Sequence, residues 1–188
     1  VETNSDLLLG DIARITTGVR SKIGQEKIVS NKPLGENWKK GIVSSSQVCP
    51  FIVKWEGHYL NIDKKLLWAG GWDSNIVENP KIMIRQTGDS LIAGIDKNGF
   101  YHLNNVHSLS IHTESISLEY ICALLNSKLM NKFYQLVSLE RNRPMAQTDI
   151  DVLETLPIKM IEMKDQKNII ELVHRIIHKG IQNQTLLE

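Results

Sequence analysis

The sequence lacks the features that mark several common classes of protein. No apolar run approaches the roughly 20 residues that a membrane-spanning helix needs. The opening stretch VETNSDLLLGD does not have the basic and then apolar layout of a secretory signal peptide. The formal net charge is only +1, which argues against a histone-like binder dominated by phosphate contacts. We therefore expect a globular cytoplasmic protein that does not associate with membranes.

Cysteine is scarce and an initiating methionine is absent. Cys49 and Cys122 stand far apart without a Cys-x-x-Cys partner, so we expect two buried, reduced thiols. Because the sequence starts with Val1, we expect a processed chain or, in preference, a piece of a longer one. The 188 residues suffice for one domain with a substantial core, or for one domain with an appendage.

No complete catalytic motif is present. The chain has no glycine-rich phosphate loop, and the serines at positions 44–46 lack a Gly-x-Ser-x-Gly frame. His102, His107 and His112 recur every five residues without nearby cysteines or paired carboxylates, so we interpret the histidines as solvent-facing or interface residues rather than metal ligands. We expect no catalytic residue, no metal and no cofactor.

The stretch Pro80–Asp96 organises the middle of the chain. Its apolar runs IMI and LIA flank RQTGD, where Gly88 and Asp89 are typical turn residues. The pattern predicts a β-hairpin at the centre of a β subdomain. A second hairpin is predicted where Phe51–Trp55 turns through Glu56 and Gly57 into His58–Ile62. Further on, Trp68 and Trp72 bracket two glycines, which is compatible with buried packing or with a surface aromatic contact.

The pattern changes to helical after His112. Ser117 is a candidate N-cap for an apolar stripe, Asn126 and Ser127 either interrupt that stripe or cap a new helix, and a second stripe follows. A last amphipathic helix runs from about Asp165 to Gln182 and either closes the domain or meets a partner. The predicted fold is therefore α+β: a mixed β subdomain of short strands, a helical C-terminal part and a terminal amphipathic helix.

The polar loops are rich in side chains suited to DNA. Arginine and lysine pair with guanine, asparagine and glutamine pair with adenine, and lysines and hydroxyls hold phosphates. For any one of these side chains an ordinary solvated loop is the simpler interpretation, and only the set as a whole points to DNA. The candidate DNA-binding residues are Arg20, Ser21, Lys22, Lys39, Lys40, Ser44, Ser46, Arg85, Gln86, Thr87, Arg141, Asn142, Arg143 and Gln147.

Three stretches carry a family resemblance: PKIMIRQTGDSLIAGIDKNGFYHLNNVHSLSI, then SLEYICALLNSKLMNKFY, then RNRPMAQTDIDVLETLPI. In this order they resemble the TaqI-like C-terminal specificity domain, the target recognition domain of DNA methyltransferases and restriction–modification enzymes. The opening LGDIARITTGVRSK is similar to the start of a target recognition domain in type I specificity subunits. Together the similar stretches span Leu7 to Lys159, with Leu124–Ser127 and Leu156–Ile158 as the most specific marks.

The resemblance implies a domain that reads a short double-stranded DNA sequence while another domain or subunit performs the chemistry. It implies residues 7–160 as the recognition domain, and residues 161–188 as a helix that acts as a spacer or binds a partner. The expected partners are DNA, a methyltransferase domain or subunit, an endonuclease subunit, and a second chain in a helix-mediated dimer. The chain has no Asn-Pro-Pro-Tyr motif, so methyl transfer by this chain itself is not expected.

Two hypotheses from other classes stay open at this point. One is a magnesium-dependent nuclease built on the acids around the hairpin, Asp73, Glu78, Asp89 and Asp96. The other is a protein-interaction module that acts through the terminal helix.

Overall fold

The computed structural model describes residues 7–69, 72–138 and 146–185. The strands in these ranges are β1 (Leu7–Leu8), β2 (Ala13–Thr17), β3 (Val29–Ser30), β4 (Trp38–Ile42), β5 (Val48–Cys49), β6 (Phe51–Val53), β7 (Tyr59–Asn61), β8 (Lys81–Arg85), β9 (Ala93–Asp96), β10 (Tyr101–His102), β11 (Val106–Ile111) and β12 (Pro157–Ile158). The helices are α1 (Leu9–Ile12), α2 (Ser74–Val77), α3 (Leu118–Leu125), α4 (Lys128–Val137), α5 (Ile150–Glu154) and α6 (Met163–Thr185). The α+β class predicted from the sequence is confirmed.

The predicted central hairpin is present and lies in the middle of the largest sheet. Strands β8 and β9 pair antiparallel with Ile82 opposite Ile95 and Ile84 opposite Ala93. The sheet has six strands in the order β2-β11-β8-β9-β6-β5. Gly88 in the connecting segment has a backbone φ of +125°, a conformation that residues with a Cβ atom rarely adopt.

The six-stranded sheet is covered on both faces. Ile82 and Ile84 point into the main core, where they meet helix residues such as Tyr120 and Leu125. Met83 points to the other face and packs with Ile42 of β4. A strand that is buried on both sides has an unbroken apolar run instead of strict alternation, which explains the sequence of β8.

A buried ion pair closes the base of the hairpin. The side chains of Lys81 and Asp96 are both fully buried, and the Lys81 ammonium donates to the Asp96 carboxylate and to the Val77 carbonyl. Asp96 also accepts the backbone N–H groups of Asn98 at 2.8 Å and Phe100 at 2.9 Å. Burial lowers the pKa of Lys81, while the neighbouring carboxylate opposes that shift. Removing either partner would leave the other as an uncompensated buried charge.

The prediction of a second hairpin, from Phe51–Trp55 into His58–Ile62, is wrong. Strand β6 runs parallel to β9 in the six-stranded sheet, whereas β7 pairs with β3 and β4 in a separate sheet of order β10-β4-β7-β3. The Trp55 indole N–H bonds the His58 carbonyl at 2.6 Å across the connection. The two strands therefore leave this turn for different sheets.

Side-chain caps set the limits of the two middle helices, as predicted. The Ser117 hydroxyl accepts the Tyr120 N–H at 3.1 Å, and the Ser127 hydroxyl accepts the Met130 N–H at 3.1 Å. Between the caps, the Asn126 amide accepts from the Ala93 N–H at 3.1 Å and donates to the Ala93 carbonyl at 2.8 Å. It thereby ties the end of α3 to β9. Cys122 is buried as predicted, but Cys49 is only half-buried.

The terminal helix α6 packs onto the domain along its inner face. Val173 is buried in the main core, and the Gln166 amide accepts the Ser117 N–H at 3.0 Å and donates to the Ser115 carbonyl at 2.8 Å. Leu172 faces outward and is 48% exposed. Within the described ranges, none of the helices is both long and apolar enough to cross a lipid bilayer.

Candidate nucleic-acid interface

Three segments that are distant in sequence meet at the turn of the central hairpin. We call them the hairpin edge: residues 44–47, 85–88 and 146–148. The Ser45 and Thr87 hydroxyls lie 2.9 Å apart, and Thr87 forms a β-bridge with Gln147. The Gly88 N–H donates to the Ala146 carbonyl at 3.0 Å, and the Thr148 N–H donates to the Gln86 carbonyl at 2.6 Å. The fold thus brings the predicted residues Ser44, Ser46, Arg85, Gln86, Thr87 and Gln147 together.

A buried glutamine shapes the serine segment of the hairpin edge. The Gln47 side-chain oxygen accepts the N–H groups of Val43 at 2.8 Å and Ser44 at 2.9 Å, and its amide nitrogen donates to the Lys54 carbonyl at 3.1 Å. The Ser44 hydroxyl caps the same turn by accepting the Ser46 N–H at 3.2 Å. Gln47 therefore positions the serines while it is itself fully buried.

Arg85 lies at the end of β8 and is partly committed to the protein. Its Nε donates to the Val48 carbonyl at 2.6 Å, which holds the half-buried side chain against β5. A guanidinium has five N–H donors, so four more remain on its terminal nitrogens. Gln86, the next residue, is half-buried and donates its backbone N–H to the Asn105 carbonyl at 3.1 Å, whereas Thr87 is exposed.

Asn105 and His107 support the hairpin edge from behind. The Asn105 amide donates to the Val43 carbonyl at 3.0 Å, and the His107 Nε2 lies 2.8 Å from the Thr148 carbonyl. Because a carbonyl only accepts, Nε2 carries the proton. Burial lowers the pKa of His107, which favours this neutral form. The interpretation of the histidines as solvent-facing or interface residues is wrong for His102 and His107, since both are buried.

The loop that carries Arg20, Ser21 and Lys22 forms the neighbouring surface. The Lys22 N–H bonds the Leu66 carbonyl at 2.8 Å, and the Trp68 N–H bonds the Arg20 carbonyl at 2.9 Å. The side chains of Arg20 and Lys22 are exposed. The loop is joined to the hairpin edge through the turn at residues 104–105, where the Gln25 amide donates to the Asn104 side chain at 2.9 Å.

The remaining predicted residues lie elsewhere. Lys39 and Lys40 are exposed on β4, where the Lys40 ammonium is 4.6 Å from the centre of the Trp55 ring. Strand β4 leads towards the serine segment, but no hydrogen bond of the described residues joins either lysine to the hairpin edge. Arg141, Asn142 and Arg143 fall outside the described residues.

The acids of the nuclease hypothesis are separated and engaged individually. Asp73 forms an ion pair with Arg14 at 3.1 Å, Glu78 accepts the Tyr101 hydroxyl, Asp89 accepts the Ser90 hydroxyl at 3.1 Å, and Asp96 is paired with Lys81. In the part of the chain that the structure describes, no group of three or more His, Cys, Asp or Glu side chains is arranged to hold a metal ion. These separate pairings do not form the carboxylate cluster that the hypothesis needs.

Comparison with known proteins gives a family match and a set of similar folds. The family described as the TaqI-like C-terminal specificity domain matches residues 42–158, more than half of the chain. No curated protein sequence matches this chain. One similar structure is the HsdS subunit from Thermoanaerobacter tengcongensis, with a TM-score of 0.62, 9% identity, and coverage of 100% of this chain and 41% of that one.

Two further structures are similar at comparable coverage. The type I restriction–modification S subunit from M. genitalium has a TM-score of 0.53 and 15% identity, covering 97% of this chain and 41% of that one. A chain from a structure on complex assembly and conformational transition of the type I R-M system has a TM-score of 0.58 and 8% identity, covering 99% and 41%. The chain therefore spans 41% of the length of each of these three structures, and at these identities the likeness is one of fold.

Proposed function

This chain belongs to the TaqI-like C-terminal specificity domain family, and on that premise we propose that it recognises a short double-stranded DNA sequence for a restriction–modification system. One observation carries the proposal to particular residues: three distant polar segments meet at the hairpin edge. Hydroxyls, amides and a guanidinium are the groups that read base edges in the major groove. Their convergence at one end of the sheet supports this edge as the reading surface.

We assign separate roles to the two kinds of candidate residue. Arg85, Gln86 and Thr87 contact bases, with Ser46 and Gln147 beside them. The exposed cations Arg20, Lys22, Lys39 and Lys40 contact phosphates and set the register of the domain on the duplex. Arg141, Asn142 and Arg143 stay predicted DNA contacts. Ser44, which caps the serine turn, acts on DNA through the position of its neighbours.

Binding to selected DNA tests these roles. The target sequence is first obtained by selecting duplexes from a random-sequence pool, and affinity is then measured by fluorescence anisotropy at several salt concentrations. Arg85→Ala should weaken binding to the selected sequence by about 1–3 kcal/mol, with little effect on unrelated duplexes. Lys40→Ala should weaken binding to all sequences and lower the salt dependence by about one unit. Lys167→Ala, an exposed lysine on α6, is the control and should change neither.

Two outcomes would contradict the assignments. If Arg85→Ala and Thr87→Val both leave the ratio of specific to non-specific affinity unchanged, the hairpin edge does not read the sequence. If the selection enriches no sequence, the chain is not a sequence reader. Clean cleavage of plasmid DNA by the purified chain with Mg²⁺ would instead favour the nuclease hypothesis.

We further propose that catalysis lies in a methyltransferase domain or subunit, with an endonuclease subunit in the larger assembly. One similar structure is described as the S subunit of a type I restriction–modification system, and another comes from work on the complex assembly of such a system, which supports this organisation. We divide the chain into a recognition domain at residues 7–160 and a C-terminal helix at 161–188. The pairing of Leu7 with Ile158 supports the first of these limits, since it joins the two ends of the recognition domain.

The outer face of α6 is our candidate for contact with a partner or a second chain. Leu172 is 48% exposed, while its neighbour Val173 is buried and anchors the inner face. Leu172→Glu should therefore weaken the association of the chain with a second copy or with its methyltransferase partner, measured by sizing chromatography. The circular dichroism spectrum should stay unchanged. Lys167→Glu introduces a similar charge elsewhere on α6 and should have little effect. Complexes that survive Leu172→Glu would argue against this face.

A further inference from the structure

A cavity lies beside the loop of Arg20–Lys22, outside the hairpin edge. Its volume is about 340 Å³, and it is lined among the described residues by Lys22, Lys64, Leu67, Trp68, Trp72 and Asp73, with two small neighbours. Ligand pockets range over roughly 300–1,000 Å³, so this cavity has room for one small ligand rather than for an oligomer. The sequence pattern had singled out its two tryptophans, and the recognition surface does not use them.

The aromatic walls of the cavity differ in exposure. Trp72 is half-buried and packs edge to face on Tyr101, with ring centres 6.1 Å apart, and Leu67 beneath is only 1% exposed. Trp68 is 54% exposed, although its backbone N–H is fixed to the Arg20 carbonyl at 2.9 Å. The cavity therefore has a fixed aromatic floor and an indole that is accessible to solvent.

The charges around the cavity favour an anionic ligand. Asp73 is committed to Arg14 at 3.1 Å and also accepts the Asn75 N–H at 2.9 Å. Lys22 and Lys64 are exposed, and neither has an ion-pair partner among the described residues. Two uncommitted ammonium groups thus stand next to two indole rings.

We infer that this cavity binds a single nucleotide, with its base stacked against Trp68 and Trp72 and its phosphate held by Lys22 and Lys64. Aromatic stacking combined with lysine–phosphate contact is the chemistry by which proteins hold unpaired nucleotides. If the proposed DNA recognition is correct, the natural source is a nucleotide displaced from the bound duplex, whose removal from the stack exposes its ring faces. The alternative source with the same chemistry is a free nucleotide.

The first experiment tests the chemistry without duplex DNA. Deoxyadenosine monophosphate is titrated into the chain while tryptophan fluorescence is recorded, and deoxyadenosine serves as the ligand without phosphate. The nucleotide should quench the fluorescence and bind more tightly than the nucleoside. Trp68→Ala should weaken nucleotide binding on the order of ten-fold. Lys64→Ala should reduce the preference for the phosphate, because only Lys22 is then left to hold it, whereas Lys65→Ala, the neighbouring exposed lysine outside the cavity, should not.

The second experiment identifies the source. A duplex with one extra unpaired adenine is compared with the flush duplex of the same sequence. A displaced nucleotide predicts tighter binding of the bulged duplex and loss of that preference in Trp68→Ala. If the nucleotide binds but the bulge gives no advantage, the duplex source is overturned and the ligand is a free nucleotide. If neither the nucleotide nor the bulge binds in a way that depends on Trp68, the cavity is not a nucleotide site.

The two proposals fail in different ways. Failure of the hairpin-edge assignment would appear with flush duplexes, as a ratio of specific to non-specific affinity that Arg85→Ala and Thr87→Val leave unchanged, although the cavity is unaltered in both variants. Failure of the nucleotide site would leave the specific affinity for flush duplexes intact in both the wild-type chain and Trp68→Ala.

Discussion

Replacement of Gln47 by leucine should destabilise the protein and blur its DNA specificity. The change removes the three hydrogen bonds that the Gln47 side chain makes to Val43, Ser44 and Lys54, at 2.8, 2.9 and 3.1 Å. Leucine has a similar volume, so the loss comes from polar groups that are left without partners. A typical hydrogen bond contributes about 1 kcal/mol, which gives a loss of about 3 kcal/mol in the free energy of unfolding. Higher values are not expected, because the three backbone groups are only partly buried.

Urea unfolding followed by circular dichroism measures the stability of this variant. Gln135→Leu is the matched control, since that amide makes one 3.4 Å hydrogen bond to the Asp89 carbonyl and should lose less than about 1 kcal/mol. DNA affinity is measured under conditions where both variants are folded. Gln47→Leu should lose affinity for the selected sequence and keep its non-specific affinity, because the serine turn shifts while the exposed lysines do not.

Our account of Gln47 would be refuted by a small effect. An unfolding free energy within about 0.5 kcal/mol of wild type is what a substitution at an ordinary surface position gives. That result would mean that the serine turn does not depend on this amide.

Two further predictions concern the core behind the recognition surface. Burial lowers the pKa of His102 from 6.5 to about 3. Between these two values the imidazole is protonated in the unfolded chain and neutral in the folded chain. The free energy of unfolding should therefore fall as the pH drops from 6.5 towards 3. Between pH 7 and pH 5 the free energy of unfolding should fall by about 2 kcal/mol. Denaturant unfolding at the two pH values measures this loss, which should be smaller in His102→Gln. Equal stability at pH 5 and pH 7 would contradict the prediction. Asn126→Ala should cost about 2 kcal/mol in the same assay, because it removes both side-chain bonds to Ala93, and an unchanged midpoint would show that α3 does not need this link to β9.

The elements that the sequence predicted correctly are those with a strong local cause. Gly88 adopts the positive φ that its place in the hairpin suggested, and Ser117 and Ser127 cap their helices through their hydroxyls. Turn and cap chemistry acts within a few residues, so a single sequence contains the whole signal. The family resemblance, which rests on such local marks in a fixed order, is confirmed over residues 42–158.

The errors arise where distant segments decide the outcome. Phe51–Trp55 and His58–Ile62 have the composition of a hairpin, but β6 finds β9 as a parallel neighbour while β7 is taken up by β3 and β4. No local pattern distinguishes these partners. The prediction for His102 is wrong for a similar reason, since its burial comes from the pairing of β10 with β4, where His102 lies opposite Ile42.

The candidate interface shows the same division. The residue types at Arg85–Thr87 and Ser44–Ser46 could be recognised from the sequence, and the structure adds that they meet. Gln47 and Asn105 were missed as supporting residues, because an amide in a loop looks the same whether it faces solvent or fills a buried network. The signal available in the sequence is the spacing of Ser44 and Gln47, the Ser-x-x-Gln pattern of a capping box, in which the glutamine side chain accepts the Ser44 N–H.

The short pairing of β1 with β12 gives the recognition domain the properties of an exchangeable cassette. Leu7 lies opposite Ile158 and Leu8 opposite Pro157, so the polypeptide enters and leaves the domain about 5 Å apart. A unit with adjacent ends can be replaced by another of the same kind without separating the chain ends that flank it, provided that the new unit keeps the surface on which α6 packs. Recombination at these two points would exchange the whole unit in a single step, together with the DNA sequence preference that we propose for it.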